Sequence, residues 1–326
     1  MKRPLLTAAK DDSLTICFLK KHMAQSSPTC LRCQDTRVYV RAGTGTRYAQ
    51  AQLCDCAPDP CPTCRGTGFL LTLDPQGRDL ATLCPDCERF KQRIEFYNRC
   101  RIPRRYQHSR LALADQDSEN AKVFSLLESM LRGLPHQVRP DSEQERPSAD
   151  VLKGMVLMGS PGTGKTHLMT GFAYRATIEL GISCVFQGFT ELLSELRQGY
   201  SDGKSDIEII EPHLQTDVLI IDDLGKGRNT AWELSILDTL ITERYNHHRL
   251  IMATTNYTER EEDTLRERVL SRDRTETEQY LADTLRKRVG ERIYSRLREM
   301  CYFQSLQGTD RRLAPPEAEG FVESAD

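Results

Sequence analysis

The sequence predicts an α/β protein in which a parallel sheet carries a phosphate-binding loop, preceded by a small zinc-ribbon domain. Three features predict it: the run Gly159-Ser160-Pro161-Gly162-Thr163-Gly164-Lys165-Thr166, the apolar run Val218-Leu219-Ile220-Ile221-Asp222-Asp223, and a crowd of eight of the chain's 12 cysteines between Cys30 and Cys87. The first matches G-x-x-x-x-G-K-[ST] in full, the pattern of a loop that binds a nucleoside triphosphate. Its glycines let backbone N–H groups close around phosphates, Lys165 neutralises β/γ charge, and the Thr166 hydroxyl offers a ligand to Mg²⁺.

The flanking residues supply the required order of elements. Met155-Val156-Leu157-Met158 reads as a buried strand, and Leu168, Met169, Phe172, Ala173 and Ala176 then recur at helical spacing until Gly181 stops the helix. Asp222 lies 57 positions beyond Lys165 at the end of a second short strand. Strands of a parallel sheet end at one crevice, so Asp222 is expected beside Thr166 in the Mg²⁺ shell, with Asp223 orienting the attacking water. A third strand, Leu250 to Thr255, ends at Asn256, whose polar side chain is a candidate sensor of the γ-phosphate. The expected nucleotide-binding set is Gly159, Ser160, Pro161, Gly162, Thr163, Gly164, Lys165, Thr166 and His167, with Asp222. ATP and Mg²⁺ are the expected cofactors.

The cysteines fall into a pattern of metal ligands. Cys30-x-x-Cys33 is followed after 20 residues by Cys54-x-Cys56, and Cys61-x-x-Cys64 after 19 residues by Cys84-x-x-Cys87. Two tandem zinc ribbons fit best: each knuckle sets two sulfurs on one side of a hairpin, and a second knuckle completes a closed tetrahedron. The spacing leaves the pairing of knuckles open, and Cys54-x-Cys56 is tighter than the usual C-x-x-C. Such closed sites are structural, so no chemistry is expected at the metals. Cys17, Cys100, Cys184 and Cys301 lack partners at ligand spacing and receive no role.

Length and composition bound the rest. With 326 residues, two domains are expected. The N-terminal apolar run is too short for a secretory signal and nothing approaches a membrane span, so a cytoplasmic protein with reduced thiols is expected. The net charge of −2 is unevenly spread: residues 1–110 hold 19 Lys+Arg against 10 Asp+Glu, and the remainder 26 against 37. A basic front third suits nucleic acid or an acidic protein face, even after four thiolates per Zn²⁺ offset part of it. Expected limits are a zinc-binding domain over 1–102, an ATPase domain over 103–313 and a polar, acidic, disordered tail over 314–326. Between the modules, Arg99 to Arg105 reads as an extended basic connection, because Pro103 disfavours helix before it. Ser118 is expected to cap a helix bearing Val123, Phe124, Leu127, Met130 and Leu131 on one face, stopped by Gly133 and Pro135, with an exposed loop to Asp150.

The Gly159–Thr166 loop, the block Ile220-Ile221-Asp222-Asp223-Leu224-Gly225 and the run Ala253-Thr254-Thr255-Asn256 resemble DnaC/DnaI-type helicase loaders and IstB-type ATPases, both of the AAA+ class. The resemblance covers about residues 100 to 312 and implies an AAA+ fold with an abbreviated lid. Gly290-Glu291-Arg292-Ile293-Tyr294-Ser295-Arg296-Leu297 is similar to the helix that gives an arginine finger to a neighbouring subunit, which implies a homo-oligomer in the ATP state, with Arg296 as finger and Arg292 as helper. Gly308-Thr309-Asp310-Arg311-Arg312 is similar to the end of the family's ATPase domain and implies a second sensor at Arg312, with Arg311 its close competitor. The resemblance also implies DNA contacts near Lys226 and Arg228. Asp223 stands where AAA+ ATPases usually carry glutamate, and residues 260–285 form a charged insertion without an assigned site. The leading expectation is a loader that places a replicative DnaB-type helicase on single-stranded DNA, its zinc module gripping the helicase. The alternative is an IstB-type transposition helper that binds DNA and recruits a transposase, and a third reading is a zinc-dependent adaptor whose ATP site controls assembly alone.

Overall fold

The computed structural model describes residues 29–73, 76–111, 120–138, 153–259 and 284–312. The expectations for Cys17, the Ser118 cap, the loop beyond 138, the insertion and the acidic tail therefore lie outside the described residues. The chain begins with two antiparallel hairpins, β1 (Val38–Ala42) with β2 (Ala49–Leu53), and β3 (Phe69–Leu73) with β4 (Asp79–Leu83). A helix, α1 (Pro85–Arg99), comes at once after them, opened by Pro85 with Asp86 and Glu88 in its first turn and Arg99 in its last. That order of charges suits the helix dipole.

The connection after α1 is extended only at Ile102 and Pro103, and it is not a free linker. Ala49 N donates to Ile102 O at 2.8 Å, Arg104 N donates to Arg47 O at 3.0 Å, and a short 3₁₀ turn spans Arg104–Tyr106. Arg101 ties the turn of the first hairpin to the ATPase module: it bonds the Tyr48 hydroxyl, Gln187 and Glu195.

Next comes α2 (Ala121–Val138), which buries the predicted face but runs on through Gly133 and Pro135. Leu134, fully buried between these two breakers, anchors the last turn. Packing of one large apolar side chain outweighs the local signals, which near a C-terminus forfeit few hydrogen bonds.

The sheet is built from β5 (Gly154–Met158), β6 (Cys184–Gly188), β7 (Val218–Asp222), β8 (Leu250–Thr255) and β9 (Cys301–Ser305), all parallel, in the order β6-β7-β8-β5-β9. The inner strands β5, β7 and β8 are nearly continuous apolar runs because helices cover both faces. Those helices are α3 (Lys165–Tyr174), continued by a π turn over Arg175–Glu179, α4 (Phe189–Ser201), α5 (Asp206–Gln215), α6 (Ala231–Asn246), α7 (Leu285–Val289) and α8 (Glu291–Met300). Capping boxes fix two of their starts, Ser205 with Glu208 and Thr230 with Glu233.

Alternation along β5 divides the core. Met155 and Leu157 face one apolar cluster, Val156 and Met158 the other. The first cluster does not stop at the sheet: it runs through Phe172, Tyr174 and Ile178 to Tyr97 of α1 and on to Val38, Val40, Ala49 and Ala51 of the first hairpin. The first hairpin therefore buries no core of its own: its apolar face is covered by α1 and by the helix that extends from the phosphate loop.

Candidate nucleotide site and zinc centres

The phosphate loop leaves the carboxyl end of β5, and three of its glycines take positive backbone angles, Gly159 at the turn out of the strand with φ of 147°. Gly162 has φ of 86° and Gly164 has φ of 100°, a region open to glycine without steric cost. Gly164 is the N-cap of α3, so the loop's N–H groups and the positive helix end face the same way. Lys165 turns back into the loop, its Nζ donating to Gly159 O at 2.7 Å and Ser160 O at 2.8 Å, while Thr163 Oγ1 donates to Ser160 O at 3.0 Å. A positive charge thus sits within a ring of backbone.

Strand order brings the acids to this loop. Although β8 lies between β7 and β5, Thr166 Oγ1 reaches Asp222 Oδ1 at 2.9 Å. Thr254, at the end of β8, fills the gap: its Oγ1 donates to the same Asp222 oxygen at 2.6 Å and accepts from Asp223 N at 3.0 Å. Burial pushes the Asp222 carboxyl up, against the pull of the Thr254 and Thr166 hydroxyls and the charge of Lys165, with Asp223 adding to the rise. A hydroxyl and a carboxylate oxygen in contact are a fitting oxygen donor pair for Mg²⁺, which would supply Lewis-acid polarisation of the bound phosphates.

Asp223 takes a left-handed backbone with φ of 56°, and its Oδ2 accepts from Lys226 Nζ at 2.9 Å. Lys226, expected at DNA, is here engaged with the acid expected to orient water. Arg288 of α7 braces the next turn of chain, with Nε and Nη2 each 3.0 Å from Gly225 O. Asn256 comes directly after the Met158–Thr255 pair of the β5–β8 register, so its level in the sheet is that of Gly159, where the phosphate loop begins.

The remaining candidates divide. His167, on the first turn of α3, has Nδ1 at 3.1 Å from Ser109 Oγ, and burial lowers its pKa. Arg296 lies on α8 and pairs with Asp238 of α6 at 3.0 Å, and Arg292 reaches the same acid at 3.5 Å. Of the two C-terminal arginines, Arg311 meets the loop: its N donates to Gly162 O at 3.1 Å, and its Cδ would lie 3.9 Å from a Cβ on Gly164. Arg312 bonds its N to Asp310 Oδ1 at 2.9 Å, and both arginines are exposed. Sequence reading missed Thr254, Arg288 and Ser109, none of which belongs to a recognisable spacing. The paired threonines at the end of β8 were the one available signal.

The cysteines sort into two groups, Cys30, Cys33, Cys54 and Cys56, and Cys61, Cys64, Cys84 and Cys87, with all four sulfurs of each group within 4.8 Å of one another. This decides the knuckle pairing left open by spacing. A tetrahedron of Zn–S bonds of about 2.3 Å demands S···S separations of about 3.8 Å; Cys30–Cys54 stands at 3.8 Å, Cys61–Cys84 at 3.9 Å, Cys64–Cys87 at 3.7 Å and the tight-knuckle pair Cys33–Cys56 at 3.3 Å. The donor sets fit Zn²⁺, which would close each hairpin base as a cross-link with no ligand position left for a substrate. Within each quartet the thiols shift in opposite directions: Cys30 is lowered to about 7, first by a bond from the Cys33 N–H, while burial pushes Cys33 up and hydrogen bonds with Cys61 and Cys64 push Cys87 up to about 12. At Cys64 burial opposes ionisation, but the Gly68 N–H, the Cys87 thiol and the Gly66 N–H together outweigh it and the thiol falls to about 6.

A five-stranded parallel sheet with the phosphate loop on an inner strand and the acidic strand two places away is the arrangement of a P-loop nucleotide-binding fold. Within that class, residues 149–273 match the family described as IstB-like ATP binding protein. The phage-like element PBSX protein XkdC of Bacillus subtilis is 34% identical over 113 residues, 32% of this chain and 40% of that protein. The replicative helicase loader DnaC of Escherichia coli is 25% identical over 125 residues, 38% of this chain and 51% of that protein. This chain thus spans about half the length of the curated relatives it matches. A crystal structure of the DnaC helicase loader superposes with a TM-score of 0.46 at 25% identity, covering 62% of this chain and 99% of that one. Among the described residues, no helix is long and apolar enough to cross a membrane.

Proposed function

We propose that this chain is an ATPase that loads a replicative DnaB-type helicase onto single-stranded DNA, working as an ATP-driven homo-oligomeric switch in the cytoplasm. The observation that carries the reading is the pair of four-cysteine units, the first of them packed onto the AAA+ core through one continuous apolar cluster. A rigid extra module ahead of the ATPase is a means of holding a second protein while nucleotide state changes below it. The similarity to the replicative helicase loader DnaC supports the partner class.

In this reading the Gly159–Thr166 loop and His167 hold the triphosphate, Thr166 and Asp222 hold Mg²⁺, Asp223 positions water, and Asn256 reads the γ-phosphate. Arg296 leaves Asp238 to reach the nucleotide of an adjoining subunit, where a planar cation stabilises transition-state charge. The second-sensor role passes from Arg312 to Arg311, because Arg311 is the one seated against the loop.

A second reading, an IstB-type transposition helper that recruits a transposase, is favoured by the match over residues 149–273. The match does not reach the zinc units, which is why the loader is preferred. One experiment separates the two. The purified chain, with ATP and a single-stranded DNA circle, is tested for delivery of a DnaB-type helicase, and in parallel for retention of a transposase on duplex DNA. The loader reading predicts helicase delivery that Lys165→Ala abolishes, through a loss of triphosphate affinity of about 10- to 100-fold. Transposase retention without helicase delivery overturns it, and ATP binding without turnover under either condition supports an adaptor.

A further inference from the structure

The two cysteine units are copies of one plan. Cys33, Thr36, Val38 and Val40 recur at identical spacing as Cys64, Thr67, Phe69 and Leu71. Thr36 Oγ1 donates to Cys33 O at 2.6 Å and Val38 O at 2.9 Å; Thr67 Oγ1 does the same to Cys64 O at 2.8 Å and Phe69 O at 2.9 Å. The registers coincide as well. Val38 faces Leu53 and Val40 faces Ala51 in the first hairpin, and Phe69 faces Leu83 and Leu71 faces Ala81 in the second.

The surroundings of the two hairpins differ. Val38 and Val40 are 0% and 9% exposed, whereas their counterparts Phe69 and Leu71 are 52% and 77% exposed. The cover on the first hairpin is a helix: α1 lays Tyr97 into the shared cluster, and the Asn98 side-chain amide accepts from Ala51 N at 2.7 Å and donates to Ala51 O at 3.3 Å. The second hairpin presents the same kind of apolar face to solvent, larger in side-chain size and extended by Leu73. Exposed apolar area of this kind in one patch is unfavourable in water and marks an interaction site.

Charge selects the occupant. From Cys61 to Cys87 the unit has Arg65 and Arg78 against Asp74, Asp79 and Asp86, and a Zn²⁺ held by four thiolates adds about −2. A unit of this net charge disfavours nucleic acid and a second copy of itself as occupants.

We propose that the outer face of the second hairpin, Phe69, Leu71, Leu73, Ala81 and Leu83, docks an amphipathic helix of another protein, taking the place that α1 takes on the first hairpin. The helix carries an apolar stripe flanked by Lys or Arg, and an Asn or Gln that reads the backbone of Ala81 as Asn98 reads that of Ala51. The proposal stands apart from the loader reading, since a partner of either kind meets it with such a helix.

The test places a photo-crosslinking benzoylphenylalanine at position 71 of the full chain in its native cells, with position 80, on the opposite face of the hairpin, as control. The expected result is an adduct at 71, absent at 80, with a basic amphipathic helical segment of one other protein. Adding Leu73→Glu and Leu83→Glu is expected to reduce that adduct at least tenfold while zinc content stays at two per chain and ATP binding is retained. If the glutamates lower zinc content, Leu73→Ser with Leu83→Ser is read in their place. An adduct with another copy of the chain, with the chain's own residues or with nucleic acid overturns the proposal. So does an adduct that survives the substitutions, or the lack of any adduct at 71.

Discussion

Thr254 donates to Asp222 and accepts from Asp223 N, so a single hydroxyl sets the spacing of the two acids on which the site depends. Both acids are half-buried and differ in their partners: Asp222 accepts from Thr166, while Asp223, in a left-handed backbone, pairs with Lys226. Asp223→Asn keeps size and backbone shape but removes the charge proposed to orient water. Triphosphate affinity is expected to stay within about twofold and turnover to fall by about 100-fold or more, read by calorimetry and phosphate release. Arg296→Ala is expected to leave nucleotide affinity of the isolated subunit unchanged and to remove assembly-stimulated turnover by about 1,000-fold. Full stimulated turnover in that variant would transfer the finger role to another residue, Arg292 first, since it reaches the same acid.

At the scale of elements, α1 is the joint of the molecule. It begins at the last zinc knuckle and ends against the sheet, and its Asn98 holds both backbone groups of Ala51 in β2. Asn98→Ala leaves those groups without partners, at an expected cost of about 1–3 kcal/mol in denaturant unfolding. On α5, His213 bonds Gln187 at 3.1 Å, and burial, with Arg101 adding, lowers its pKa to about 4. The unfolded imidazole titrates near 6.5 and binds more protons than the native one below that value. Its contribution is therefore complete above pH 6.5 and shrinks as pH falls toward 4, by about 2 kcal/mol at pH 5. Thermal melting at pH 7 and pH 5 checks this: the downward shift is expected to be smaller in His213→Gln, which retains a partner for Gln187 but cannot charge.

For the whole molecule, the shared core makes the first zinc unit and the ATPase interdependent. Stripping zinc with a chelator removes the cross-links at both hairpin bases, and the first hairpin then no longer presents Val38 and Val40 as a fixed surface to α1 and Tyr174. Calorimetry is expected to show a lower melting temperature for the ATPase transition itself, not loss of a separate small transition. The second unit, whose hairpin leaves its apolar face bare among the described residues, is expected to lose structure without that coupling, so Cys84→Ser should shift the main transition far less than Cys33→Ser.

Much of the site was legible because it is local. The phosphate loop runs over eight consecutive residues, and each of its parts answers one need: positive φ at Gly162 and Gly164, a cation at Lys165, a hydroxyl at Thr166. The strands were legible as apolar runs, as were the eight cysteines that gather into two clusters. What the chain order does not contain is register between remote segments. Spacing left the knuckle pairing open, and nothing local signals that Thr254 bridges two acids, that Lys226 engages Asp223, or that Arg311 and not Arg312 meets the loop. The end of α2 was misread for the same reason, since Leu134 finds its partners far away in sequence.

By itself, then, the order of residues determined which chemical groups the protein brings together, since the phosphate-loop pattern and the cysteine knuckles are written in short-range patterns of charge, thiol and backbone freedom. Tertiary structure alone decided how the pieces are joined. Two hairpins of one plan differ in fate because α1 folds back over the first and leaves the second bare, a choice set by which distant apolar surfaces meet.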